Sequence, residues 1–215
     1  MIYIKSFVFN PFMENTYILY DDTKSCVVID PGCYEEYERM ELKEFIVSND
    51  LKVEKLLNTH CHIDHVLGNK FVKEEFGVEL YIHELDQPVL DAVKTYAPAY
   101  GLTHYEETSS DHYLREGDSI TFGNSSLEVL FVPGHAPGHV AFISRADKIC
   151  MGGDTLFQNS IGRTDLPGGD FDTLIQSIHE KIFPLGDDFV VYSGHGPSTT
   201  IENEKKNNPF CAVAQ

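Results

Sequence analysis

Three histidines and a carboxylate stand within the stretch Thr59-His60-Cys61-His62-Ile63-Asp64-His65. An apolar run at residues 53–57 precedes them and reads as a strand entering a loop. Side chains two apart on extended backbone project to one side, so His60 and His62 converge while Cys61 points away as a buried spacer. From residue 66 the apolar spacing turns helical, which puts Asp64 and His65 at a helix start, beside the first pair. Imidazole and carboxylate without paired cysteines suit zinc, iron or manganese, and the donors outnumber what one four-coordinate ion takes. One histidine among ten carries little meaning. The cluster carries the reading.

Three later stretches place similar side chains at strand ends. Pro133-Gly134-His135-Ala136-Pro137-Gly138-His139 follows the apolar run 127–132, Gly152-Gly153-Asp154-Thr155-Leu156-Phe157 follows 148–151, and Ser193-Gly194-His195-Gly196-Pro197 follows 189–192. A histidine on a loop braced by proline and glycine is held rigidly by its scaffold. The glycines before Asp154 allow close backbone approach, and one carboxylate has two oxygens to share between cations.

His-x-His-x-Asp-His with these three motifs in order resembles the signature of the metallo-β-lactamase-fold hydrolases, from about Asn15 to the end of the chain. It looks most like the short glyoxalase II-like, or hydroxyacylglutathione hydrolase-like, type. The resemblance implies an α/β fold built as a four-layer αββα sandwich. It also implies two divalent metal ions, zinc first, with iron or manganese as alternatives. His60, His62 and His135 would hold one ion, Asp64, His65 and His195 the other, and Asp154 would bridge them. Asp64 and Asp154 are then the carboxylates on which catalysis depends. The implied chemistry is attack on a carbonyl by hydroxide held between the ions, since metals lower the pKa of water from about 15.7 to about 7. A thiolate, whose parent pKa is near 8.5, leaves without a general acid. The expected substrates are therefore hydroxyacyl thioesters such as lactoylglutathione.

Other residues join as supporting candidates. Asp30, in Asp30-Pro31-Gly32, is a turn carboxylate or, by the resemblance, a residue beneath the metals. His139 is expected to hydrogen-bond its loop or a ligand. Arg163 lies in a stretch, Ser160 to Gly169, that looks like a loop of the short type; it either meets a substrate carboxylate or pairs with Asp165. His83, His104 and His112 read as non-ligands. Competing readings are a persulfide dioxygenase with a single iron on His60, His135 and Asp154, a lactone or phosphodiester hydrolase, and a metal-containing binding module without turnover. Only twenty residues follow His195, so the glutathione-gripping helical domain of longer glyoxalase II enzymes is not expected.

The positioning elements follow from periodicity. Strands are expected at 2–9, 16–20, 26–29, 53–57, 79–82, 118–123, 127–132, 140–144, 148–151 and 189–192. Helices are expected over 34–49, with Tyr37, Leu42, Phe45 and Ile46 inward, near 66–76, and from an Asp170 cap through 182, with Phe171, Leu174, Ile175 and Ile178 inward. A further helix opens at Glu84, another begins near Thr199, and residues 155–169 read as irregular. The aromatic and polar segment after Tyr96 is a flap over the site or plain surface. Helices between strands in both halves imply a layered α/β domain.

At 215 residues with 42% hydrophobic side chains the chain suffices for one core, and one domain, 1–215, is expected. Acidic residues outnumber basic ones 34 to 16, and the charge of -18 repels phosphate backbones, which argues against nucleic acid as a partner. A small-molecule substrate is the expected ligand, and no oligomeric state is implied. Five scattered cysteines without a C-x-x-C pair fit reduced thiols in a cytoplasm. No signal-peptide pattern opens the chain and no apolar run is long enough to span a membrane.

Overall fold

Alternating apolar strands pair into two six-stranded sheets in the structure, a computed structural model that describes residues 1–213. The first half comprises β1 (Tyr3–Phe9), β2 (Glu14–Tyr20), β3 (Ser25–Ile29), α1 (Glu36–Ser48), β4 (Lys52–Leu57), α2 (Ile63–Val66), α3 (Asn69–Phe76), β5 (Leu80–His83), α4 (Gln87–Tyr96) and β6 (His112–Leu114). The second comprises β7 (Ser119–Phe122), β8 (Ser125–Phe131), β9 (Val140–Ser144), β10 (Ile149–Gly153), β11 (Leu156–Phe157), β12 (Ser160–Ile161), α5 (Phe171–Ser177), β13 (Val190–Ser193), β14 (Thr199–Thr200) and α6 (Ile201–Asn207). The first sheet runs β1-β2-β3-β4-β5-β6 and the second β14-β13-β10-β9-β8-β7.

Strand periodicity explains the layering. In β2 and β3, Tyr17, Leu19, Val27 and Ile29 face the other sheet, where they meet Val129, Phe142 and Met151. Their neighbours Ile18, Cys26 and Val28 face outward onto Leu42 and Ile46 of α1, Val72 of α3 and Leu90 of α4. The second sheet repeats the arrangement, with Ala141, Ile143 and Val191 against Leu174 of α5 and Ile201 of α6. The central strands β2, β3, β9 and β10 are buried on both faces because each face meets a layer. The result is an αββα sandwich, as the resemblance implies. Parallel pairing of β3 with β4 and of β10 with β13 delivers the loops after those strands to one edge.

Several local expectations change. The helix expected near 66–76 breaks at Gly68, whose N–H donates to Pro31 O at 2.7 Å. A Cβ there would lie 2.4 Å from Cys33 Sγ, so the close approach admits only glycine. Tyr37 is 69% exposed, and Glu38 takes the buried position on α1. The Glu38 carboxylate accepts the N–H groups of Asn10 and Tyr34, each at 2.7 Å, which accounts for a buried acid in an apolar stripe. Phe171 is 47% exposed at the first turn of α5, where the helix has not yet reached the sheet. The stretch 155–169 contains the small hairpin β11–β12, and His112 opens β6, a strand the sequence did not suggest. No helix among the described residues is long and apolar enough to cross a membrane.

Candidate metal centre

Loops following β4, β8, β10 and β13 bring His60, His62, Asp64, His65, His135, Asp154 and His195 to one place. His60 Nε2 and His62 Nδ1 lie 3.2 and 2.9 Å from His135 Nε2. Two nitrogens each about 2.0–2.1 Å from a tetrahedral ion sit about 3.3–3.4 Å apart, so these spacings suit one cation between them. Beside this group, Asp64 Oδ2 is 3.0 Å from His195 Nε2 and 3.7 Å from His65 Nε2. Asp154 stands between the groups, with Oδ2 3.5 Å from His135 Nε2 and 3.6 Å from His195 Nε2, and Oδ1 3.6 Å from His65 Nε2. The donors form two clusters each able to hold a metal ion, His60-His62-His135 and Asp64-His65-His195.

Hydrogen bonds to the far side of the His135, His195 and His65 rings fix which nitrogen faces the centre. His135 Nδ1–H donates to Arg163 O at 2.8 Å and His195 Nδ1–H to Met13 O at 3.2 Å. Both turn Nε2 toward the cluster. His65 turns Nδ1 to Asp30 Oδ2 at 3.2 Å. Its Nε2, and Oδ1 of Asp154, are buried without any hydrogen-bond partner. Orphaned buried donors and acceptors of this kind cost free energy unless a further group satisfies them, and a divalent cation fits the imidazole and carboxylate chemistry on offer.

The two halves differ electrostatically. Burial holds His60 well below the ordinary histidine range, with the neighbouring imidazoles adding to the effect, and takes His62 down to about 3. Burial lowers His135 as well. Burial also opposes charge on His65, yet the carboxylates of Asp64 and Asp154 raise it well above its usual value. Asp154, although buried, is lowered by His65, His135 and His195. One half therefore presents uncharged lone pairs, and the other an ion-paired set in which protons occupy positions facing the cation site.

The supporting candidates fall as follows. Asp30 is 2% exposed, with φ 49°, and accepts Thr59 N–H at 2.7 Å, so its carboxylate holds both the ligand loop and His65. A third donor group, Asp30-His60-His65, lies within metal-binding reach, but Asp30 is already engaged by Thr59. His139 Nε2 accepts the Asp154 N–H at 3.0 Å, and its ring stacks on His60 with centroids 4.8 Å apart. Arg163 pairs bidentately with Asp165 at 2.7 Å, and its carbonyl, not its guanidinium, meets His135. Cys61 is fully buried in the core behind α4. His83 stacks on Phe131 and His112 pairs with Glu79 at 2.7 Å, both away from the cluster.

Sequence reasoning missed Glu14, Asn15 and Asp86. Glu14 is fully buried, and its Oε1 lies 3.9 Å from His65 Nδ1; burial raises its pKa well above the carboxylate norm. Asn15 Nδ2 donates to Ser193 O and Gly196 O at 2.9 and 2.8 Å, clamping the loop that carries His195. The polar run Glu14-Asn15-Thr16 at the head of an otherwise apolar strand is the one signal that could have found them.

Asp86, also fully buried, accepts Cys61 N–H at 2.7 Å and Gly138 N–H at 2.6 Å, tying the His60–His62 loop to the loop after His135. Burial pushes its pKa up to about 6 from 3.8. A raised carboxylate pKa contributes stability that is full below about 3.8 and is lost as pH rises through about 6, here about 3 kcal/mol. Asp86→Asn does not titrate, so the stability difference between the metal-free parent and this variant should shift against the parent by most of that amount from pH 4 to 7. Denaturant unfolding across that range checks it; a constant difference would contradict it. Metal affinity of the variant, read by chelator competition at neutral pH, should fall roughly 10- to 100-fold because the amide keeps one oxygen and turns an NH2 to the other backbone N–H, so the two loops are no longer tied by one acceptor.

A two-sheet sandwich with helices on both outer faces and a histidine-aspartate cluster at one edge defines a class. The chain belongs to the Metallo-beta-lactamase superfamily of metal-dependent hydrolases, whose pattern matches residues 9–195. It is 39% identical over 201 residues, 93% of each chain, to the hydroxyacylglutathione hydrolase GloC of Haemophilus influenzae. Its structure is similar to that of BLEG-1 B3 metallo-beta-lactamase, with 36% identity, a TM-score of 0.90, and coverage of 98% of this chain and 100% of that one. It is also similar to TTHA1623 in a di-iron-bound form, with 35% identity, a TM-score of 0.85, and coverage of 96% and 99%.

Proposed function

We propose that the protein is a binuclear metallohydrolase of hydroxyacyl thioesters, with lactoylglutathione as a reference substrate. The observation that carries this reading is Asp154: one buried carboxylate within 3.6 Å of a histidine from each donor group, with Oδ1 unsatisfied. Bound divalent ions would supply a Lewis acid for the carbonyl oxygen and bring the pKa of water down to about 7. The likeness to GloC supports the thioester class, and the likeness to a di-iron protein supports iron beside zinc and manganese as a metal this ligand set accepts.

The chain's own residues favour a nucleophile that is not a side chain. All five cysteines are buried and free, and burial pushes Cys26 and Cys150 up to about 12. Ser160, which lines the pocket, turns its hydroxyl to Ile161 O at 3.5 Å and has no histidine partner. Apart from His195, which Asp64 and Asp154 raise against its burial and which would give up its proton on holding a metal, the pocket offers no ready acid. Asp64 and Asp154 are lowered, the first by His65 and His195 and the second by His65, His135 and His195, each against its own burial. Burial lifts Tyr96 to about 12. A leaving group that departs without a proton, such as a thiolate, suits those surroundings better than an amine.

Metal analysis of the purified protein together with lactoylglutathione hydrolysis tests the reading, with persulfide oxidation under oxygen as control. Two ions per chain with thioester turnover is the expected result. One iron with oxygen consumption would replace it with the persulfide dioxygenase reading, and bound metal without turnover with that of a binding module. The acidic composition and the free cysteines support a small-molecule substrate and a cytoplasmic setting.

A further inference from the structure

We propose that the pocket over the donor cluster selects thioesters whose thiol portion is an uncharged apolar arm, in preference to a dicarboxylate carrier such as glutathione. This rests on the hydrolase reading above. The cavity, about 990 Å³, opens on His62, Asp64, His135, Asp154 and His195. One wall comes from α4 and the turn before it, through Leu85, Pro88, Val89, Ala92 and Tyr96. Positions 85, 89, 92 and 96 recur at helical spacing on the cavity side of α4 and the turn before it, and Val89 and Tyr96 also pack against the core cluster that holds Leu90 and Val93. Leu85, Pro88 and Ala92 are exposed and carry that apolar surface past the core contact and along the cavity. Ile161, Leu166 and Pro167 also line the cavity, as do Phe12 and Tyr100, whose rings meet edge to face at 5.9 Å.

Charge points the same way. Among the described residues lining the cavity, Arg163 is the one permanent cation, and Asp165 engages it bidentately at 2.7 Å. Metals held at the cavity floor apart, the two carboxylates of glutathione, offset by its single ammonium, would find no free cation on these walls and would meet a chain of net charge -18. An alkyl arm gains instead, by roughly fourfold in affinity for each methylene taken out of water.

The test holds the acyl group constant and varies the carrier: lactoyl esters of glutathione, N-acetylcysteamine, 1-butanethiol and 1-hexanethiol, with the metal-loaded protein. We expect kcat/KM to rise about 16-fold from the butanethiol to the hexanethiol ester, with both above the glutathione ester. Leu85 is 49% exposed, so Leu85→Lys should fold and should move the preference toward the glutathione ester by about two- to fivefold. Calorimetry with the S-methyl thioethers of the same thiols should give the same order without turnover. Fastest cleavage of lactoylglutathione with a flat alkyl series would overturn the inference and leave the hydrolase reading standing. Cleavage of none of the esters, with the hexyl thioether still binding more tightly than S-methylglutathione, would overturn the hydrolase reading and uphold the selectivity of the pocket.

Discussion

Asp154→Ala should lose metal and turnover together. The parent carboxylate links the two donor groups, with Oδ2 3.5 Å from His135 Nε2 and 3.6 Å from His195 Nε2, and Oδ1 3.6 Å from His65 Nε2. Removing it leaves the second group with Asp64 as its only carboxylate and leaves the charge on His65 and His195 less compensated, which disfavours a second cation there. We expect metal content to fall from two ions per chain to one or none by elemental analysis. The kcat/KM for lactoylglutathione should drop by about 10³-fold or more, the scale of losing the preorganised charge that stabilises an oxyanion. Asp154→Asn keeps the side-chain volume at a position 7% exposed, so it separates loss of charge from loss of packing. Both variants should be inactive, and retained turnover in either would sink the assignment.

Asp30→Ala carries the second large effect, on stability as well as metal. Its carboxylate accepts Thr59 N–H at 2.7 Å and faces His65 Nδ1 at 3.2 Å in a site with almost no solvent. Truncation orphans a buried backbone donor and an imidazole at once, a change worth about 3–5 kcal/mol where a buried charged pair is broken. Part of the loss comes from the backbone, because φ is 49° and alanine tolerates the left-handed region poorly. Asn adopts that region more readily and retains one oxygen, so Asp30→Asn should recover much of the unfolding free energy in urea. Metal affinity should nonetheless fall roughly 10- to 100-fold in both variants, because His65 loses the carboxylate that orients it. A chelator titration matching the parent in either variant would show that Asp30 only builds a turn.

Much of this arrangement was readable from local pattern. The strands after which the ligand loops begin are short apolar runs, and the donors stand at their ends in recognisable clusters. The helix break at Gly68 was not readable, since it depends on Pro31 and Cys33, more than thirty residues earlier, pressing against one glycine. Tyr37 and Phe171 fit their helical stripes by spacing, yet both are exposed, because a helix end can extend past the sheet beneath it. For Arg163 residue type leaves two partners open, a substrate carboxylate or Asp165, and the fold gives its guanidinium to Asp165, two residues on.

By itself the sequence determined the kinds of donor, their order along the chain and the alternation of strand and helix, because residue type and period are properties of a few neighbouring positions. The two donor groups and the place of Asp154 between them follow the resemblance, not residue pattern, and only the tertiary structure decided their distances and that Asp86, Glu14 and Asn15 brace the loops. Those outcomes depend on strand register and on burial, through which residues as far apart as Asn15 and Gly196 set each other's orientation at 2.8 Å. The energy of a buried charge is fixed by whatever packs around it, and its neighbours here come from distant parts of the chain.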